Sequence, residues 1–142
     1  MKAERLKFQH IDHTADAGLK ITGDSPKELF ENAAMGMFSI ISDLVKVDSV
    51  KCKKITIQSP DNEALLVDWL AELNYIFLTK RFIFNKFEIQ AMSQQNLSAI
   101  VSGEPLDLAK HEIFTEIKAV TFHGLYIAEN PNGFEAQVIF DL

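Results

Sequence analysis

NPNGFEAQVIFDL, residues 130–142, joins a turn signal to an alternating strand. Asn130-Pro131-Asn132-Gly133 combines residue types that favour a tight turn between antiparallel strands. Beyond the turn, side chains alternate in the period of a strand with one buried face. One face would carry Phe134, Ala136, Val138 and Phe140, and the other Glu135, Gln137, Ile139 and Asp141. The stretch therefore predicts a β-hairpin whose other strand lies within residues 116–128.

Two helices are predicted upstream of this hairpin. The first begins at Ser25, a capping residue, with Pro26 in the first helical position and Glu28 placed to complete a capping box. The second begins near Pro60-Asp61. Apolar residues recur at helical spacing in both: Leu29, Phe30, Ala33, Ala34, Met37, Phe38 and Ile41 in the first, and Leu65, Leu66, Trp69, Leu70, Leu73, Ile76 and Phe77 in the second. Stripes of this width are typical of helices that lie on a sheet, and we interpret Trp69 and the phenylalanines as core.

The rest of the chain is predicted to form strands. Their ranges are 6–11, 17–22, 50–58, 82–89 and 97–101, followed by the hairpin. The adjacent Lys53 and Lys54 interrupt the alternation of the third strand, which predicts a β-bulge there. The order strand, strand, helix, strand, helix and then several strands favours an α+β fold over a doubly wound one. We expect residues 1–142 to form a single two-layer domain, with two main helices packed on a mixed, mostly antiparallel β-sheet.

Composition and charge limit the classes of function. The chain has 142 residues, of which 47% are hydrophobic, so one core can form and disorder is not expected. A net charge of −6 argues against broad phosphate binding, although Lys51, Lys53 and Lys54 form a local basic group whose contact with RNA is left open. Cys52 is the single cysteine, and neither a signal-peptide-like start nor a membrane-length apolar run is present. We expect a cytoplasmic protein without a disulfide or a membrane segment.

Carboxylates near the start of the chain are candidates for a functional site. The common nucleotide-binding and nucleophile motifs GxGxxG, GxxxxGKS/T and GxSxG are missing from the sequence. Asp12 and Asp16 lie where the first two predicted strands meet, within HIDHTADAGL, residues 10–19. Hard cations such as Ca²⁺ and Mg²⁺ bind several oxygens, and two carboxylates with backbone carbonyls would begin such a site. Asp also favours turns because its side chain bonds to nearby N–H groups, so the alternative is an ordinary turn.

The end of the sequence supplies two more carboxylates. In VIFDL, residues 138–142, the predicted strand continues to the last residue, where Asp141 is followed by the terminal carboxylate of Leu142. A bound cation would explain adjacent negative charges at the end of an apolar strand that does not fade into polar residues. A docked edge strand with a solvated end is the alternative.

Histidine and lysine side chains give weaker signals. His10, His13, His111 and His123 could serve as bases or metal ligands, but no suitably spaced cysteine or third local histidine accompanies them. Structural histidines bonded to backbone are the alternative. Lys118 lies in a predicted strand that could project toward the acids, where an ion pair is the simpler role.

Six segments form a combination that covers nearly the full length. They are IDHTADAGL (11–19), ELFENAAMGMF (28–38), LLVDWLAELNYIF (65–77), GEPLDLAKH (103–111), EIKAVTFHGL (116–125) and AQVIFDL (136–142). Together they resemble the archease family, in the family's order and spacing. Two departures are small: Ala17 stands where a different apolar residue usually follows HTAD, and the sequence ends in FDL instead of FDI or FDV.

The resemblance implies a function and a site. Archeases serve RtcB-type RNA ligases in tRNA splicing and repair, promoting GTP-dependent guanylylation of a ligase histidine and multiple turnover without catalysis of their own. The tRNA would be met indirectly, through the ligase. The family also implies a divalent-metal site, usually for Ca²⁺, which maps onto Asp16, Asp141 and Leu142; Mg²⁺ or Mn²⁺ would suit the same oxygens. Lys118 and Asp12 are the further candidates, as residues that face the partner or support the metal ligands.

Two other classes of function compete with this one. A small metal-dependent phosphoester hydrolase would hold Mg²⁺ on Asp12 and Asp16 and use His13 or His123 as a base. A general chaperone or interaction module would use the sheet or its edge to hold exposed segments of other proteins. The activator alone requires a particular ligase.

Overall fold

Two helices and seven strands form the described part of the chain. The computed structural model describes residues 7–12 and 16–142, with Asp12 described by its backbone alone; His13 lies outside the described residues. The helices are α1 (Pro26–Ile41) and α2 (Asn62–Lys80), and a 3-10 turn spans Leu44–Lys46. The strands are β1 (Phe8–Asp12), β2 (Asp16–Gly23), β3 (Lys51–Gln58), β4 (Phe82–Met92), β5 (Asn96–Pro105), β6 (Ala119–Asn130) and β7 (Gly133–Asp141).

The strands are divided between two antiparallel sheets. One sheet has the order β1-β2-β7-β6 and the other β3-β5-β4, and each pairing between the described strands is antiparallel. Helix α1 contacts strands of both sheets, and so does α2. The predicted α+β fold, with two helices packed on mostly antiparallel strands, is confirmed. The division into two sheets was not predicted, because alternation marks a strand without naming its partner.

Both helices begin where predicted, and each is capped: the first at Ser25, as expected, and the second at Asp61. The Ser25 hydroxyl accepts a hydrogen bond from the backbone N–H of Glu28 at 3.1 Å, and Asp61 accepts one from Ala64 at 2.8 Å. Each cap satisfies one of the N–H groups that a helix leaves unbonded in its first turn. Helix α2 ends at Arg81, which takes a left-handed conformation with φ 53°. None of the described helices is long and apolar enough to span a bilayer.

Aromatic side chains from the helices and from β4 form the centre of the core. The ring of Phe38 lies 5.8 Å from that of Phe84 and 5.7 Å from that of Phe87. Trp69 is fully buried, and its Nε1 donates a hydrogen bond to the backbone oxygen of Phe30 at 3.0 Å. The indole therefore joins α2 to α1 without leaving a buried donor unsatisfied. This confirms the core interpretation of Trp69 and these phenylalanines.

The predicted bulge at Lys53 and Lys54 is wrong. Strand β3 pairs with β5 without a register shift, and the irregularities lie instead in β4, between Phe84 and Lys86 and between Ile89 and Ala91. Adjacent lysines need no bulge on an edge strand, because a long side chain can cover apolar surface while its ammonium stays in water. The Lys53 ammonium, for example, lies 5.0 Å from the centre of the Phe82 ring.

The hairpin that ends the chain forms as predicted. Asn130 and Gly133 are register partners, and Gly133 has φ 128°, a conformation that L side chains rarely adopt. On β7 the predicted inner face is buried, since Ala136, Val138 and Phe140 are fully buried, but Ile139 of the other face is buried as well. Strand β6 begins later than the predicted 116.

Candidate functional site

Asp16 and Asp141 meet at one end of the four-stranded sheet. Asp16 is the first residue of β2, Asp141 is the last of β7, and the two are direct register partners. Side chains of such partners leave the sheet on the same face, with Cβ atoms about 4.5–5.5 Å apart. That face is opposite the core, because the neighbouring Phe140 is fully buried. The fold thus brings together two of the three predicted metal ligands.

A small hollow lies over this pair of carboxylates. Its volume is about 250 Å³, and it is lined by Asp16, Thr121, His123, Ile139, Phe140 and Asp141. Asp16 is half-buried and Asp141 is exposed. The hollow therefore combines a partly desolvated carboxylate, a solvated one, a hydroxyl and an imidazole.

The chain on either side of Asp141 is held in place. The backbone N–H of Lys118 donates to the carbonyl of Asp141 at 2.7 Å, and Leu142 packs half-buried against the core. On the preceding residue, the Ile117 carbonyl accepts a hydrogen bond from the side chain of Asn74 in α2 at 2.8 Å. Lys118 is exposed. The predicted residues Lys118, Asp141 and Leu142 are therefore neighbours, and α2 holds the segment that leads into β6. Lys118 itself lies just before β6, and not within a strand as was predicted.

His123 enters the hollow through an irregularity that the sequence analysis missed. Strand β6 pairs regularly with β7 up to Thr121 and resumes at Tyr126, so residues 122–125 form a bulge. The signal that could have marked it is Gly124, which directly follows His123 and has φ 63°. Bulges commonly re-aim side chains next to functional sites. His123 is thereby the one predicted histidine that lines the acidic hollow within the described part of the chain.

The donor atoms at this end of the sheet suit a hard divalent cation. Like charges placed directly opposite on a sheet repel, and a cation between Asp16 and Asp141 would remove that repulsion. Among the described residues, no group of three or more His, Cys, Asp and Glu side chains is arranged to hold a metal ion. Further ligands would therefore be main-chain oxygens, such as those of Leu142, or water. The oxygen donors fit Ca²⁺ or Mg²⁺ better than a soft metal.

Other predicted polar residues lie elsewhere. Lys51, Lys53 and Lys54 are exposed on β3 of the other sheet. A hollow of about 620 Å³ also opens on that sheet, but no ionisable side chain lines it. His10 bonds to the hydroxyl of Ser39 at 2.9 Å. None of these three surfaces brings two carboxylates together, as the acidic hollow does with Asp16 and Asp141.

Comparison with known proteins defines the family. Residues 8–142 match the model of the Archease protein family (MTH1598/TM1083). The chain belongs to the archease family. Relatives include Protein archease of Methanosarcina acetivorans, 38% identical over the whole of both chains, and Protein archease of Thermococcus gammatolerans, 34% identical over 96% of this chain and 99% of the relative.

Solved structures of related proteins share the fold of this archease. The solution structure of Methanobacterium thermoautotrophicum protein 1598 is 36% identical, covers 96% of this chain and 99% of its own, and superposes with a TM-score of 0.79. A crystal structure from Thermotoga maritima, described as an archease and possible chaperone, covers the whole of both chains with a TM-score of 0.64 at 22% identity. The family match and the first structure confirm the resemblance drawn from the six segments.

The segment GEPLDLAKH of this archease forms a structural ion cluster away from the hollow. Glu104 accepts hydrogen bonds from the Lys110 ammonium at 2.8 and 3.0 Å and from the backbone N–H of Asp48 at 2.7 Å. His111, fully buried, accepts the Asp107 N–H on Nδ1, so its proton lies on Nε2, which donates to Glu104 at 3.0 Å. His111 is thus a structural histidine.

This cluster predicts acid-sensitive stability. The hydrogen bond from Lys110, that from the Asp48 backbone and that from His111 lower the pKa of Glu104 from 4.5 to about 2. Because the folded pKa lies below the unfolded one, the stabilisation is complete above pH 4.5 and is lost as the pH falls toward 2. Urea unfolding between pH 7 and 2 should show this loss. The variant Glu104→Gln should be less stable at pH 7 and less sensitive across that window; an unchanged pH profile in the variant would contradict the assignment.

Proposed function

We propose that this archease activates an RtcB-type RNA ligase in tRNA splicing and RNA repair. It would promote GTP-dependent guanylylation of the ligase histidine and allow multiple turnover, without catalysing a reaction itself. Membership of the archease family and the register pairing of Asp16 with Asp141 support this proposal. The pairing is the observation that carries it, because it gathers at one surface the residues that the resemblance implies.

The acidic hollow would act through a bound divalent cation. Asp16, Asp141 and the main-chain oxygens of Leu142 would hold it, and Ca²⁺ suits their hard oxygen donors, with Mg²⁺ or Mn²⁺ as alternatives. The cation would supply positive charge at a fixed point between two proteins. The backbone of Asp12 pairs with Ala17, next to Asp16, and Lys118 bonds to Asp141 through its N–H. Both residues would face the ligase around this point.

The rigidity of the hollow supports a positioning role. Its two carboxylates belong to paired strands and not to a free loop, and the α2 contact at Ile117 fixes the entry to β6. Groups held on strands keep their geometry when a partner binds. The archease would therefore present its acidic edge to the ligase in one arrangement, which favours the ligase conformation that binds GTP and metal productively.

The test is a reconstituted ligation reaction. A purified RtcB-type ligase is incubated with GTP, Mn²⁺ and RNA ends, with and without the archease, and guanylylated ligase and joined RNA are quantified. We expect faster guanylylation and more than one joined RNA per ligase only when the archease is present. A cognate ligase that behaves identically with and without the archease would refute the activator function.

A phosphoester hydrolase remains the second candidate, because His123 lines the same hollow as the two carboxylates. An imidazole beside a carboxylate-bound metal could serve as a general base. Incubating the archease alone with Mg²⁺ and nucleotide or RNA substrates tests this directly. Turnover that is lost in His123→Ala would favour the hydrolase, whereas the activator requires no such turnover.

A further inference from the structure

A side chain of α2 is linked by two hydrogen bonds to one of the predicted metal ligands. Residues 114–118 belong to no helix or strand and lead into β6. Within this segment, the Ile117 carbonyl accepts a hydrogen bond from Asn74 Nδ2 at 2.8 Å. The next residue, Lys118, donates its N–H to the carbonyl of Asp141 at 2.7 Å. The two bonds therefore connect the interior of α2 to Asp141.

The bond to Asp141 also holds the residue that follows it. A peptide group is planar, so a fixed Asp141 carbonyl fixes the nitrogen and the Cα of Leu142 as well. The Leu142 side chain packs half-buried against the core. The position of its main-chain oxygens thus depends on where the Lys118 N–H lies, and through the segment before β6 it depends on Asn74.

Asn74 is a polar residue in the apolar stripe of α2. It is 5% exposed, and the residues four before and three after it, Leu70 and Phe77, are fully buried. Its Oδ1 is buried and has no hydrogen-bond partner in the described part of the chain. A buried acceptor without a partner lowers the stability of a fold. Core packing therefore does not explain this asparagine, whereas the bond from Nδ2 to Ile117 does.

We propose that Asn74 is a positioning residue for the cation site. Through residues 117–118 it holds Asp141 and Leu142 in place beside Asp16, so that one cation can meet the oxygens of all three. The proposal rests on the proposed function, in which that cation acts at the surface that meets the ligase. Groups that orient metal ligands typically change metal affinity by about 10- to 100-fold when they are removed.

The experiment is a calorimetric titration of the full chain with Ca²⁺, as wild type, Asn74→Leu and Asn32→Leu. Leucine has the branching of asparagine and no polar atom, so Asn74→Leu removes the bond to Ile117 without opening a cavity. Asn32 is the matched control, since it is 4% exposed on α1. Its Nδ2 donates to the Thr22 carbonyl at 2.8 Å, at the end of β2 that is far from Asp16.

We expect Asn74→Leu to bind Ca²⁺ about tenfold more weakly than wild type. Its unfolding temperature without Ca²⁺ should stay within about 3 °C of wild type, because removal of the unpaired acceptor offsets the lost hydrogen bond. Asn32→Leu should bind Ca²⁺ like wild type, whatever its unfolding temperature. Asn74→Ala, whose shorter side chain cannot clash, should show the same weakening as Asn74→Leu.

The other outcomes each overturn a definite statement. If wild type and both Asn74 variants bind Ca²⁺ equally, Asn74 does not position the ligands, and the cation site stands. If Asn74→Leu and Asn32→Leu lose affinity alike, the loss is a general effect on the fold, and the positioning role is wrong. A wild-type protein that binds none of Ca²⁺, Mg²⁺ and Mn²⁺ would refute the cation site and the role of Asn74 together. The reconstituted ligation reaction decides separately whether the activator function stands.

Discussion

Asp16→Ala is expected to reduce stimulation of the ligase at saturating archease by about 10- to 100-fold or more. Asp16 is the half-buried member of the carboxylate pair. Water can therefore substitute for its oxygens as metal ligands less readily than for those of Asp141. Removing it leaves Asp141 alone across the sheet, and a single carboxylate binds a hard cation weakly. Guanylylation rate and joined RNA per ligase are the measurements.

The fold should survive this substitution. Asp16 lies at the end of β2, on the face opposite the core, and its removal also relieves repulsion from Asp141. We expect the variant to unfold within about 3 °C of wild type. Asp16→Asn should lose stimulation as well, because it keeps the shape of the side chain and removes the charge.

The matched control is Glu129→Gln, an acid neutralised on the same sheet. Glu129 is exposed near the hairpin turn, opposite Phe134, at the far end of β6 from the hollow. It should stimulate like wild type, which would separate a specific site from the effect of net charge. Calorimetric titration with Ca²⁺ adds a second readout, since wild type and Glu129→Gln should bind the ion and Asp16→Ala should not. An Asp16→Ala protein that stimulates fully would place the active surface elsewhere.

The local elements of this protein could be read from sequence because their causes are local. The caps at Ser25 and Asp61, the apolar stripes of the two helices and the turn at 130–133 each depend on residues a few positions apart. The pairing of strands into two sheets depends on residues far apart in the chain. No period in the sequence encodes it.

The candidate site shows the same division. Asp16 and Asp141 are distant in the chain and adjacent in the sheet, so only family resemblance, and no pattern of residues, could pair them before the fold was known. The bulge at 122–125 was missed because TFHGL reads as ordinary strand sequence when Gly124 is taken alone. At Lys53 and Lys54 a bulge was predicted where none exists. A lysine side chain can lie on either face of an edge strand, so two adjacent lysines do not require a bulge.

Gly103→Ala is expected to be the most destabilising single-methyl addition among the described glycines. A Cβ at Gly103 would lie 1.9 Å from the carbonyl oxygen of Ile83 and 2.8 Å from the Cα of Phe84. Both are backbone atoms of β4, so no side-chain rotation relieves the clash. Strand β5 is the central strand of its sheet, paired with β3 on the other side, and cannot move away from β4 without breaking that pairing.

The loss of stability in Gly103→Ala depends on which backbone segments must move to make room for the new Cβ. Gly103 also accepts a hydrogen bond from the Val50 N–H at 2.9 Å, so displacing its backbone disturbs both neighbours at once. Overpacking of this kind costs about 3 kcal/mol, which lowers the unfolding temperature by about 10 °C for a domain of this size. The adjacent Ser102→Ala, which removes an atom instead of adding one, is the control and should stay close to wild type. If Gly103→Ala melts with wild type, β4 and β5 do not approach each other as closely as described. Because the acidic hollow lies on the other sheet, any Gly103→Ala protein that remains folded should still stimulate the ligase. This variant therefore distinguishes reduced stability of the fold from damage to the functional site.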